Sequence, residues 1–169
     1  MSDTAIKKVK RSDFATFLNV TPSATATYAR MGKGITSQQI AYNPATTNET
    51  YIHEDSASTS VDSYAPTIAT PQTCYAGDTV FDYIDGLRQK RAVGAACETD
   101  ILLVYIYDST TSESGTTYAA EKQKVAIQID DFGGDGGAST VINYTLNFIG
   151  DATVGSVTIS DGVPTFTAD

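Results

Sequence analysis

The clearest periodic signal in the chain is helical. In GDTVFDYIDGLRQKRAVG, residues 77–94, the apolar Val80, Phe81, Ile84 and Leu87 recur at three- and four-residue spacing and so share one helical face. Asp78 precedes them as an N-cap whose carboxylate can accept an orphan amide of the first turn. Asp82 and Asp85 lie near the start, Arg88, Lys90 and Arg91 near the end, and Gly94 follows, which suits the helix dipole at both poles. The pattern predicts one helix over about 78–93. After it the period changes to two. DILLVYIYD (100–108), YAAEKQKVAIQID (118–130), STVINYTLNFI (139–149), TVGSVTIS (153–160) and VPTFT (163–167) read as strands of an antiparallel sheet spanning 100–167. Asp161-Gly162 joins the last two as a tight hairpin turn, a dipeptide that tolerates positive φ.

Register can be tested at the run DDFGGDGGAST. With 131–138 as the loop, Asp130 faces Ser139, Ile129 pairs with Thr140, Ile127 with Ile142 and Val125 with Tyr144. On the other face Gln128 meets Val141, Ala126 meets Asn143, Lys124 meets Thr145 and Lys122 meets Asn147. One face is then apolar and the other mostly polar, whereas a slip of one residue would turn every apolar side chain outward. Burying Ile127, Ile129, Ile142, Tyr144, Leu146 and Phe148 at roughly 1.5–3 kcal/mol each would anchor the sheet. The glycines relax the corner.

The first half of the chain carries less periodicity. Residues 1–12 read as an arm, and from there to about Ala76 the sequence is rich in Thr, Ser, Pro and Asn, with strand-like pieces at ETYIHED (49–55) and SVDSYAPTIA (60–69). The extended, loop-rich part at about 35–75 is expected to order only against partners. MGKG (31–34) is at best half of a dinucleotide fingerprint and reads as a turn between strands. At 169 residues the whole chain, 1–169, is one domain.

Charge narrows the function. The net charge is −9, but Lys7, Lys8, Lys10 and Arg11 crowd the start, and beyond Arg11 there are 7 basic against 19 acidic residues, or −12. A basic arm precedes an acidic body that should repel nucleic acid, since tight phosphate binding needs clustered cations. No apolar run approaches the roughly 20 residues that span a bilayer, and no secretory leader is evident, so synthesis in the cytosol is expected.

Chemistry is hard to find. FGGDGG lacks the phosphate-loop lysine and precedes a strand, not a helix. Asp130, Asp131 and Asp135 offer oxygens to calcium, without the spacing or closing Glu of an EF-hand. His53 is the single histidine, no GxSxG elbow accompanies it, and His53-Glu54-Asp55 reads as a solvated strand end. Cys74 and Cys97 form neither a CxxC nor a zinc pattern and read as packing residues. No catalytic, cofactor or metal residues are assigned, and no enzyme is expected. One non-enzymatic reading is a surface adhesion or carbohydrate-binding β-sandwich, suggested by the Ser/Thr-rich strands.

The ordered set RMGKGITSQQIAYNPATTNETYIHEDSASTSVDSYAP, YAGDTVFDYIDGLRQKR and DDFGGDGGASTVINYTLNFIGDATVGSVTI, covering most of Arg30 to Ile159, resembles the major tail (tail tube) proteins of tailed bacteriophages. The resemblance implies a mainly β, sandwich- or barrel-like subunit with one flanking helix, six copies of which close a ring with an inner β-barrel. Rings stack into the conduit for DNA ejection, the protein resides in the virion tail, and DNA passes without sequence-specific binding. Further partners implied are a tape measure protein, a tail terminator, and baseplate or sheath proteins. On this view Gln128, Asp130, Asn143, Thr145 and Asn147 line the lumen, with Lys122 and Lys124 at its rim or paired with acids. Lys7, Lys8, Lys10 and Arg11 form an inter-subunit arm.

Overall fold

A computed structural model describes residues 5–169. Ten strands and one helix follow in the order β1 (Phe14–Asn19), β2 (Tyr28–Arg30), β3 (Gln39–Ala41), β4 (Pro44–Glu49), β5 (Ser58–Tyr64), β6 (Thr67–Thr73), α1 (Thr79–Lys90), β7 (Glu98–Ser112), β8 (Gly115–Gly133), β9 (Val141–Ser160) and β10 (Val163–Ala168). Eight strands make one antiparallel sheet, ordered β2-β1-β7-β8-β9-β6-β3, with β10 on the distal half of β9. The fold is mainly β, and the sheet of one chain is not closed into a barrel. β4 and β5 form a separate hairpin.

The helix forms as its pattern dictates. Asp78 accepts the amide of Phe81 at 3.0 Å, and Val80, Phe81, Ile84 and Leu87 are buried. It ends earlier than Gly94 suggests, because Arg91 adopts φ 48° and the Ala92 amide returns to Leu87 O. Ala92 packs on the core just after that reversal, so the apolar contact closing the cap, not the glycine, sets the stop. The helix covers one face of the sheet, where Ile101, Leu103, Val125, Ile127, Ile142, Tyr144 and Leu146 meet it. A buried polar chain ties these layers. The Tyr144 hydroxyl donates to Gln72 Oε1 at 2.9 Å, and Gln72 Nε2 donates to Lys33 O at 3.0 Å and more weakly to Asp78 at 3.4 Å.

The opposite face divides along its length. At one end Ala15, Phe17, Leu102, Val104, Ala120 and Val157 form a second apolar cluster, with Phe166 of β10 packed against it. At the other end the face is polar, and its side chains are exposed or half-buried.

Several expectations need correction. The β8–β9 register differs from the one above by four residues, since Ile127 pairs with Leu146 and not Ile142, and Ile129 with Tyr144. The strands run on to Gly133 and resume at Val141, which shortens the loop. Four is even, so every side chain keeps its predicted face, and all six apolar residues point to the helix side. Residues 139–149 and 153–160 belong to one strand, β9; Gly150, at φ 64°, lies where the ladder with β8 skips and does not end it. Phe14–Asn19, in the stretch read as irregular, is a nearly fully buried strand between β2 and β7. Residues 35–75 hold β3 to β6, and 51–55 of ETYIHED form the turn region beyond β4. The MGKG segment does connect two strands, β2 and β3. Gly34, at φ 78°, lies so close to the end of β6 that a Cβ there would stand 2.4 Å from Thr73 O.

Candidate functional site

The bare polar end of the sheet brings together the five residues expected to share a face. The connection is made at Asp130, the extra residue of a bulge between the pairs Ile129–Tyr144 and Asp131–Asn143. Its carboxylate accepts from Gln128 Nε2 at 2.6 Å and from Thr145 Oγ1 at 2.8 Å. Asn147 Nδ2 reaches Gln128 Oε1 at 3.4 Å, and Asn143 Nδ2 donates to Asp131 at 2.6 Å. Asp131 thus joins a set that sequence reasoning considered only as a calcium ligand. The alternation could not reveal it, because only the bulge turns two successive carboxylates toward neighbours on β9.

The face continues across β6, where Thr67, Ala69 and Pro71 sit opposite Asn147, Thr145 and Asn143. These groups are exposed or half-buried, and the only formal charges in the network are the two carboxylates. Toward the middle of the sheet, Lys124 Nζ pairs with Glu98 Oε2 at 2.7 Å. With Lys122, Asp100 and Asp151 these two border an open cleft of about 800 Å³, which Phe166 beside the second apolar cluster also lines. Asp100 is itself fully engaged, accepting from Asn19 Nδ2 at 3.0 Å and from the Tyr28 hydroxyl. Burial first, then that hydrogen bond, pushes the Tyr28 phenol well above its ordinary range.

The basic residues of the arm separate into two groups. Lys7 and Lys8 are exposed and border a cleft against β7, and Lys10 is exposed. Arg11 turns inward: its guanidinium donates to Phe14 O and Gln38 O and lies 5.0 Å over the Phe14 ring, fastening the arm's end to the body. His53 stands at the hairpin turn, stacked near Tyr51 and 3.7 Å from Glu54. Among the described residues no three His, Cys, Asp or Glu side chains are grouped to hold a metal. Cys74 and Cys97 are free thiols, and no described helix is long and apolar enough to cross a membrane.

No family model matches this chain, and no curated protein does. Solved structures do. A chain in the tail of an empty gene transfer agent particle, helically refined with C6 symmetry, superposes with a TM-score of 0.57 at 12% identity, over 87% of this chain and 98% of that one. A chain of the native gene transfer agent virion gives 0.55 at 10% identity, over 87% and 98%. A chain from the cap that terminates the tube of the anti-feeding prophage gives 0.48 at 16%, over 91% and 98%. The first two share the fold of this protein across nearly their whole length.

Proposed function

We propose that this protein is a tail tube subunit: copies close into rings, rings stack, and the bare polar face lines a conduit through which DNA leaves a virion. The reading is structural, not enzymatic. The observation that carries it is the one-sided sheet, covered by α1 on one face and left polar at one end of the other, in a fold shared with a chain of a particle's tail. A lining of amides, hydroxyls and carboxylates repels a passing polyanion, and of the two lysines at its edge Lys124 is held by Glu98. The short edge strands β2 and β3 and the strand β10 leave backbone groups that a neighbouring copy can pair, and a closed ring satisfies every such edge. Six copies per ring agrees with the symmetry of the tail that shares the fold. Partners of such a tube would be tape measure, terminator, and baseplate or sheath proteins, and the exposed Lys7, Lys8 and Lys10 would grip an acidic surface of a neighbour.

Electron microscopy of the purified protein tests this. Rings or tubes on the order of ten nanometres wide are expected from six domains of this size. A density map that puts Gln128, Asp130, Asn143, Thr145 and Asn147 on the outer wall overturns the lumen assignment. Particles that stay single at every concentration overturn the tube. Removal of residues 2–10 should weaken assembly and flatten its salt dependence; unchanged tubes would refute the arm.

A further inference from the structure

The β4–β5 hairpin has no core. Every residue of both strands is exposed, and an isolated two-stranded hairpin is marginal in water. It is nonetheless built in detail. Thr59 Oγ1 donates to Asn48 Oδ1 at 2.7 Å across the strands, Asp62 at a bulge accepts from Thr47 and Ser60, and the Glu54 amide closes the turn on Tyr51 O. Its tip presents Ile52 with no cover at all, 109% exposed, beside Glu54 and Asp55. From Gly34 to Leu87 the chain holds no Lys or Arg, so Glu49, Glu54, Asp55 and Asp62 make the hairpin uniformly acidic.

A matching receptor exists elsewhere on the molecule. Between the arm and β7 lies a cleft of about 430 Å³, walled by Ala5, Val9, Ile106 and Tyr107 and edged by Lys7 and Lys8, with Asp13 and Ser109 also in its lining; the two lysines outnumber the one carboxylate, whose Oδ2 accepts the Lys10 amide at 3.0 Å. Apolar walls with a cationic rim complement an apolar tip flanked by carboxylates. The chain's own tip does not occupy it, since Ile52 is uncovered and Lys7, Lys8 and Val9 are exposed. Nine residues of extended chain separate the hairpin root at Asn43 from Ile52, a reach of up to ~30 Å.

We propose that the hairpin of one copy docks its Ile52 tip into the cleft between the basic arm and β7 of a neighbouring copy. This rests on the tube reading and specifies it, by naming the acidic surface the arm grips.

Three variants decide it: E54K/D55K, K7E/K8E and their combination, each checked for native far-UV circular dichroism and followed by sedimentation and electron microscopy. Each pair reversed alone should lower the assembled fraction on the order of tenfold, and the combination, in which the charges are exchanged, should recover it. As a second readout, I52C/V9C on a C74S/C97S background should form disulfide ladders between chains on oxidation. Wild-type tubes together with single reversals that assemble normally, a combination no better than its parts, or oxidation that yields only unlinked or internally linked monomer would overturn the docking and leave the tube standing. A wild-type protein that never assembles overturns both.

Discussion

Replacing Gln72 with Leu should be among the most damaging single changes in this protein, although it keeps the side chain's size and makes the core more apolar. Gln72 is 0% exposed and holds three partners from different parts of the chain: Tyr144 on β9, the Lys33 carbonyl in the β2–β3 connection, and the N-cap Asp78 of α1. Leu fills the space but leaves the buried Tyr144 hydroxyl without a partner and removes the part-buried bond to the Lys33 carbonyl. An orphaned buried polar group costs about 1–3 kcal/mol, so Q72L should lose about 2–4 kcal/mol. Y144F removes one hydrogen bond and should lose about 1–2 kcal/mol. In the double variant the orphaned hydroxyl is gone, so its loss should fall short of the sum by about 1 kcal/mol. Urea unfolding reads this directly, followed by circular dichroism or tyrosine emission since the chain has no tryptophan. With a slope near 2 kcal/mol/M the Q72L midpoint should drop by about 1–2 M. The measurement belongs at concentrations too low for assembly, which would add its own stabilisation. A Q72L protein within about 0.5 kcal/mol of wild type, or strictly additive losses in the double variant, would refute the role given to this buried chain.

Three further outcomes follow from particular contacts. D78A should cost about 1 kcal/mol and D78S much less, because serine can still accept the Phe81 amide; thermal unfolding of the pair checks it. G155A should loosen β10, since a Cβ at Gly155 would stand 2.2 Å from Thr167 O and 2.8 Å from the Phe166 ring; faster hydrogen exchange at Thr165–Ala168 is the expected sign, and unchanged protection there would contradict it. Tyr28, Tyr105 and Tyr144 are all held above the ordinary phenol value of 10.0, by burial first, then by the Asp100 hydrogen bond, the Glu121 charge and the Asp78 charge respectively. Below that value both folded and unfolded chains keep these phenols neutral, so stability is untouched. Above it the unfolded chain ionises while the folded one does not, and stability should fall as pH rises. Phenolate absorbance should show these three of the ten tyrosines titrating only as the fold is lost.

The sequence disclosed elements whose pattern is local. Val80, Phe81, Ile84 and Leu87 needed only their spacing and an N-cap, and Asp161-Gly162 needed only its turn chemistry, which the positive φ of both residues bears out. It hid what depends on distant strands. FATFLN is buried on both sides, so it shows no alternation to read. Gly150-Asp151 looks like a strand end, yet β8 across the ladder carries β9 past it, with Gln123 Nε2 donating to Ile149 O at 2.9 Å and Gly150 O at 3.3 Å. The hairpin register was four residues off because alternation constrains only parity, and the bulge at Asp130 has no signature in composition. For the same reason the shared face of Gln128, Asp130, Asn143, Thr145 and Asn147 was legible while the bond pattern joining them, and the place of Asp131 in it, was not. The hairpin of β4 and β5 was legible in part: the strand-like SVDSYAPTIA (60–69) falls on β5 and the start of β6, whereas ETYIHED meets β4 only at Glu49 because PATTNE has no alternation to mark it.

The helix lies on one side of the sheet only, and that gives each molecule a thick flank and a thin one. Set shoulder to shoulder, such bodies behave like the tapered blocks of an arch: bulk accumulates on the convex side and the row bends toward the thin side. If copies assemble as proposed, the sense of curvature would be set within a single molecule before it meets another, and the bend would carry the thin side's amides and carboxylates to the hollow.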